Sequence, residues 1–302
     1  MDKIAVIIVH YDTDEDTKAC LESLNVIDTD DFEFQTIVVD NASKEHFVLP
    51  RKYKNVEVIR SDTNLGFTGG NNLGFRYASQ HYNPDFFLLL NSDTLVKPDF
   101  LVQLHRCLQN QPSYGLVSPK IYFAPGCEFH LASYQKSVYG QIIWFAGGVI
   151  DWRNLQTFHL GVDELDRGQF DDLTTCDYVS GCCILVRREA LAVSGIFDDD
   201  FFLYYEDTDL SLRIREANWQ LGFCPTAIIW HKNGGSSQGS GSPLQNFYLT
   251  RNRLLFFSRH GRFRVRLRAW RLAFQLLRHG QSVERKAAWR FLLHQFGKEV
   301  VV

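Results

Sequence analysis

Apolar residues run through the first half of the chain in short blocks separated by polar, turn-forming stretches. Residues 4–9, 36–39, 56–59 and 86–90 are compact apolar runs, which predicts strands. Between them, residues 14–24 and 71–80 predict helices; in the first, Cys20, Leu21 and Leu24 share a face. Strands alternating with helices build a mostly parallel sheet covered by helices. Further along, residues 178–186 predict a strand, 188–193 a short helix, 207–217 a helix opened by acids, and 222–224 a strand. Residues 120–180 mix aromatics with turn formers and read as loops and short strands.

Polar residues gather where the strands end, and open α/β sheets bind ligands beyond the carboxyl ends of their strands. Asp40 follows one strand and Asn91-Ser92-Asp93 another. A hard divalent cation such as Mg²⁺ needs only one or two protein ligands, so Asp93 suffices as a start, although Asn, Ser and Asp are also ordinary turn formers. A second element, Asn64-Leu65-Gly66-Phe67-Thr68-Gly69-Gly70-Asn71-Asn72-Leu73-Gly74, has glycines that would permit close approach of backbone to a ligand. It misses the GxGxxG spacing of dinucleotide sites and the GK[ST] of a P-loop, which removes support for hydride transfer and ATP hydrolysis. In the third element, Phe201-Phe202-Leu203-Tyr204-Tyr205-Glu206-Asp207-Thr208-Asp209, three acids open a helix beside four aromatics. One acid is explained by the helix N-terminus; three beside an aromatic wall suggest a general base next to a sugar.

Composition narrows the picture. With 302 residues, 45% of them hydrophobic, the chain can bury a substantial core. Its net charge of −3 hides an asymmetry: residues 251–302 hold 13 Lys and Arg against 2 acids, leaving the body acidic. The seven cysteines form no CxxC pair, which argues against a disulfide framework or zinc site and for a reducing cytoplasm. The adjacent Cys182 and Cys183 read as small buried thiols. The apolar run at 4–9 is too short for a secretory signal, and no stretch of about 18 apolar residues would span a membrane. Residues 234–242, rich in Gly and Ser, read either as a mobile lid after His231 or as a linker.

The ordered series Val9-His10-Tyr11, Val38 to Ser43, Asn64 to Gly74, Leu90 to Asp93, Tyr178 to Cys182, Tyr205 to Leu210 and His231 resembles the family 2 glycosyltransferases, which have the GT-A fold, over roughly residues 4–255. Within that family it is most similar to rhamnosyltransferases of bacterial surface polysaccharides. The resemblance implies a Rossmann-like sheet flanked by helices; residues 256–302, beyond it, read as a helical tail. The resemblance also implies an inverting transfer from a nucleoside-diphosphate sugar, dTDP-rhamnose foremost and UDP- or GDP-linked sugars otherwise, to a glycan or lipid-linked glycan, with Mg²⁺ or Mn²⁺. By position, Tyr11 and Asp40 would cradle the nucleobase, and Asn64 and Asn71 would line the donor pocket with Asn91 and Ser92. Asp93 and His231 would bind the metal, Asp207 would be the base, and Glu206 and Asp209 would hold acceptor hydroxyls. Asn91 stands where many relatives have an aspartate, so the metal would rest more on Asp93 and His231, and a pseudoenzyme that binds without transferring stays open.

Phe263, Leu267, Trp270, Phe274 and Leu277 recur at helical spacing with arginines interleaved, and Trp289, Leu292, Leu293 and Phe296 repeat the pattern. Such a basic amphipathic tail suits the anionic cytoplasmic face of a membrane, or packs on the body with its arginines in solvent. A sugar-nucleotide pyrophosphorylase would need a glycine-rich basic loop after the first strand, where this chain has His10-Tyr11-Asp12-Thr13. The acidic body disfavours nucleic acid as a partner.

Overall fold

The computed structural model describes residues 1–302 apart from 30, 50, 51, 54, 173, 234–240 and 300–302. In chain order the strands are β1 (Asp2–His10), β2 (Phe32–Asp40), β3 (Val56–Arg60), β4 (Phe86–Leu90), β5 (Thr94–Val96), β6 (Tyr114–Phe123), β7 (Ile143–Phe145), β8 (Gly148–Asp151), β9 (Gln156–His159), β10 (Cys183–Arg187) and β11 (Gln220–His231). The helices are α1 (Asp14–Leu24), α2 (Gly66–His81), α3 (Phe100–Asn110), α4 (Arg188–Ser194), α5 (Glu206–Glu216), α6 (Pro243–His260), α7 (Phe263–His279) and α8 (Ser282–Leu292).

The main sheet runs β3-β2-β1-β4-β10-β6-β11-β5, with β7 on β6. The strands β3, β2, β1, β4, β6 and β11 point the same way, and β10 is inserted antiparallel between β4 and β6. Alternation along β1 sorts the core into two layers. Ile4, Val6 and Ile8 face α1 and α3, while Ala5 and Ile7 face α2, α4 and α5. Covered on both faces, β4 is buried at all five positions, which is why it reads as an unbroken apolar run.

Three corrections to the sequence reading have physical causes. The glycine-rich stretch is no ligand loop but the opening turns of α2, which begins at Gly66 instead of residue 71. A Cβ at Gly74 would lie 2.5 Å from Ile7 and one at Gly70 2.9 Å from Val9, so these glycines let α2 lie close on β1. The strand expected at 222–224 continues through Pro225 to His231, with a register shift between Cys224 and Ile228 that accommodates the missing N–H. The boundary expected after residue 255 falls inside α6, and Leu254 to Phe257, Ala269, Ala273 and Phe291 belong to the same core as β1 and α3. The 234–242 reading lies outside the described residues except for Gly241 and Ser242, the latter capping α6 through Gln245 N at 3.2 Å.

The close approach of α2 gives a direct check. Gly74→Ala should destabilise the fold by about 1–3 kcal/mol, the usual cost of overpacking, despite the gain in helix propensity. A denaturation midpoint equal to that of the unsubstituted chain would show that the helix shifts freely on the sheet.

Candidate active site at the sheet edge

The strand ends converge at one edge. His10, Asp40 and Arg60 stand in register at the ends of β1, β2 and β3. Beyond β4 comes the Asn91-Ser92-Asp93 turn, and the short β5 that follows pairs antiparallel with β11, His231 opposite Thr94. That ladder brings Asp93 to His231: Oδ1 and Nε2 are 3.1 Å apart and both side chains are buried. Trp144 packs edge-on against the His231 ring at 4.5 Å, with His159 behind it donating from Nδ1 to the Trp144 carbonyl at 3.1 Å. Burial lowers the His159 pKa to about 4. The His231 Nδ1 atom is buried without a hydrogen-bond partner. A carboxylate and an imidazole at this spacing fit a divalent ion that completes its shell with water and phosphate oxygens. Among the described residues no cluster of three or more His, Cys, Asp or Glu side chains offers a full protein cage.

Other residues expected on a donor side form the framework of this edge. Burial alone would raise the Asp40 carboxyl, but hydrogen bonds from Ser43 and Phe47 and the Arg60 guanidinium outweigh it and hold it below the usual carboxylate range. Asp40 therefore shapes the 41–47 segment with both oxygens committed, and direct contact with a base is not what this arrangement offers. Asn64 accepts from Asn41 Nδ2 at 3.3 Å and Gly66 N at 2.8 Å, and buried Asn71 donates to the Phe67 carbonyl at 2.9 Å inside α2. These bonds tie both residues to the opening of α2. Asn41, which the motif reading passed over, ties the β2 end to Leu65 N at 2.9 Å and the Gly66 carbonyl at 3.0 Å. Tyr11, Asn91 and Ser92 remain partly exposed at the edge, with Ser92 Oγ 3.3 Å from Thr13.

The three acids of α5 have separate environments. Asp207 is partly exposed; its Oδ2 accepts from Gly181 N at 2.8 Å and its Oδ1 from Thr208 N at 2.6 Å. Burial raises its carboxyl above the ordinary range despite these bonds. Glu206 is 5% exposed, with Oε2 unpartnered, and burial together with the neighbouring Asp207 pushes it well up. Asp209 overturns its expected acceptor role: it is 1% exposed and its oxygens pair with His260 and with Arg213, each at 2.8 Å, knitting α5 to α6. Phe202, Tyr204 and Tyr205 precede these acids with φ of 62°, 68° and 71°. Each such non-glycine residue costs on the order of 1–3 kcal/mol, strain that the surroundings must hold in place.

One backbone segment joins the two halves. The Cys182 carbonyl accepts from Asn91 N at 2.9 Å while Gly181 N binds Asp207, so the Asp93 turn and the α5 carboxylate are fastened to adjacent residues. A Cβ on Gly181 would meet the Phe67 ring at 3.2 Å, so the glycine leaves that ring its place beside the segment.

The sequence profile described as glycosyltransferase like family 2 matches residues 2–247. The chain belongs to glycosyltransferase family 2. Among curated proteins it is similar to the low-salt glycan biosynthesis hexosyltransferase Agl10 of Haloferax volcanii, 25% identical over 84% of this chain and 75% of that protein. Rhamnosyltransferase WbbL of Escherichia coli is 28% identical over 76% of this chain and 83% of its own. The N-acetylglucosaminyl-diphospho-decaprenol L-rhamnosyltransferase of Mycobacterium tuberculosis is 24% identical over 78% of each. Among solved structures, GalNAc-T7 with UDP, GalNAc and Mn²⁺ superposes with a TM-score of 0.65 at 15% identity, covering 99% of this glycosyltransferase and 55% of that chain. The fold is GT-A.

Proposed function

We propose that this glycosyltransferase moves one sugar, L-rhamnose from dTDP-rhamnose foremost, onto a hydroxyl of a glycan or lipid-linked glycan, inverting the anomeric configuration. The observation that carries the reading is the Gly181–Cys182 segment, which fastens the Asp93–His231 pair and the Asp207 carboxylate to one sheet edge. Tyr11, Asn91 and Ser92 line the donor side, while Asp40, Asn64 and Asn71 shape it from behind. The Asp207 carboxylate takes the proton of the acceptor hydroxyl as the new C–O bond forms and the bond to the nucleoside diphosphate breaks, that bond's electron pair leaving with the diphosphate. Asp93 and His231 would hold Mg²⁺ or Mn²⁺, which would supply positive charge to offset the negative charge of the diphosphate. Rhamnose is favoured over UDP- or GDP-linked sugars because two relatives are named for rhamnosyl transfer. Calorimetric titration with dTDP, UDP and GDP, with and without Mn²⁺, tests the donor side. Tightest, Mn²⁺-dependent binding of dTDP supports it, and binding of no nucleotide overturns it.

The same reading puts the protein at the cytoplasmic face of a membrane, where a lipid-linked acceptor would be met. Among the described residues no helix is long and apolar enough to cross a membrane. Helix α7 carries five arginines and no acid, and Phe263 and Phe274 stand 79% and 55% exposed on it, with Trp289 53% exposed on α8. That combination suits an anionic bilayer surface. We expect co-sedimentation with vesicles containing phosphatidylglycerol but little with pure phosphatidylcholine. Each of Arg264→Glu and Arg271→Glu should remove about 1 kcal/mol or more of that affinity. Binding unaffected by salt would contradict the electrostatic part, which is screened over about 10 Å at 0.1 M.

A further inference from the structure

Two fully buried polar side chains lie in the middle of α6, beyond the residues matched by the family profile. Arg251 donates from Nη2 to the carbonyls of Asp200 at 3.0 Å and Phe201 at 3.1 Å, and from Nη1 to that of Gly297 at 2.7 Å. Its Nε bonds Asn252 Oδ1 at 3.0 Å, which orients the Asn252 amide. The Nδ2 of Asn252 is then 2.8 Å from each of the carbonyls of Phe201, Leu203 and Tyr204. Thr68 N takes the one remaining carbonyl of the turn, Phe202, at 3.2 Å. Every carbonyl from 200 to 204 thus has a donor, and the side-chain donors all come from two adjacent residues of one helix.

This is an unusual use of a guanidinium and an amide. Both are 0% exposed, and apart from the bond they make to each other their hydrogen bonds go to main-chain oxygens. The turn they grip holds Phe202, Tyr204 and Tyr205 at positive φ, a region that aromatic residues leave when nothing holds them there. Tyr205 is the residue from which α5 starts, and Asp207 is the second residue of that helix. The first turn of α5, and with it the backbone of Asp207, therefore leaves a strained turn whose carbonyls α6 holds.

We infer that Asn252, oriented by Arg251, is a positioning residue for the reaction: it fixes the 200–205 turn and thereby the placement of Asp207 toward the acceptor. The inference rests on the reading of Asp207 as the base. It also gives the C-terminal helices a part in the chemistry, because the same arginine is tied to Gly297 beyond α8.

The test uses the full-length chain and a graded series, Asn252→Ser with one hydroxyl donor, Asn252→Ala with none, and Asn252→Asp with a charge that repels the carbonyls. For each variant kcat, acceptor KM, nucleotide affinity and amide exchange in 200–205 are measured. The expected result is a fall in kcat of about 10²-fold for Ala, of the size that a misplacement near 1 Å brings, with Ser intermediate and Asp worst. Nucleotide affinity should stay within about twofold, and exchange at 200–205 should rise in the same order as kcat falls. If Asn252→Ala does not fold, the Ser variant carries the comparison. Normal kcat with raised exchange at 200–205, or a loss shared equally by kcat and nucleotide affinity, overturns the positioning role. Asp207→Asn, run alongside, separates the two readings: it should lose transfer with no change in exchange at 200–205, and if it retains transfer, the base assignment fails whatever the Asn252 series gives.

Discussion

Asp207→Asn should slow sugar transfer by about 10²–10⁴-fold, the usual contribution of a general base, while donor affinity hardly changes. The substitution keeps the shape and, with its single amide oxygen, one of the two contacts with Gly181 N and Thr208 N, but cannot take a proton. Its partner experiment is Glu206→Gln. Glu206 is buried with an unpartnered oxygen, and burial together with Asp207 pushes its carboxyl well up, towards the neutral form that glutamine mimics in shape. That variant should lose little, chiefly through acceptor KM. The pH profile adds a check whose sign follows from burial. A base acts only when deprotonated, and desolvation raises Asp207, so transfer should fall on acidification at a higher pH than an ordinary aspartate would give. An acid limb that is unchanged in a slow Asp207→Asn enzyme would assign the titration to another group, and an enzyme that loses more on Glu206→Gln than on Asp207→Asn would move the base to Glu206.

Asp93→Ala should remove metal-dependent donor binding altogether. Asn91 and Ser92, its neighbours in the turn, are neutral and cannot supply an anionic ligand. The loss should exceed the roughly 10–100-fold that follows removal of a group merely supporting a ligand. His231→Ala should cost less, since water can replace an imidazole at Mg²⁺, although the Trp144 ring loses its partner at 4.5 Å. Titration of Mn²⁺ in the presence of dTDP, on both variants, reads the difference. Equal affinity in Asp93→Ala and the unsubstituted chain would remove the metal from this edge.

Much of the fold could be read because its central strands obey simple rules. Buried on both faces, β4 shows as an unbroken apolar run, and the alternating layers of β1 make it apolar from Ile4 to Val9. Other elements were hidden for definite reasons. Gly115, Pro119 and Lys120 interrupt β6, although Lys120 is buried by pairing with Asp166 and Asp171. The first residues of α3, Phe100-Leu101-Val102, look like a strand until Leu104 and Leu108 set the helical period. The interior residues of α6 are buried on several sides, so it shows no polar stripe.

The site was legible in part. Motif order brought Asp93 and His231 to attention, and the β5–β11 ladder joins them although 137 residues lie between them, in a way no local spacing reveals. What sequence could not give was the division of labour among polar residues. Asp40, Asn64, Asn71 and Asp209 look like ligand contacts in a motif, yet both oxygens of Asp40 and of Asp209, the Asn64 oxygen and the Asn71 amide nitrogen bond the chain itself. Conversely, Arg251 and Asn252 carry no motif, and a signal was present: with Tyr248 and Leu255 they fall at i, i+3, i+4 and i+7, the inward face of a helix, where a polar side chain must have partners.

The most direct test of the whole account is turnover of a panel of dTDP-, UDP- and GDP-linked sugars in the presence of a lipid-linked glycan acceptor, following nucleoside-diphosphate release with and without Mn²⁺ and the anomeric configuration of the product by NMR. The expected result is release from dTDP-rhamnose above the other donors, lost on chelation, with the product inverted at the anomeric carbon. Retained configuration, or release from no donor in the panel, would contradict it.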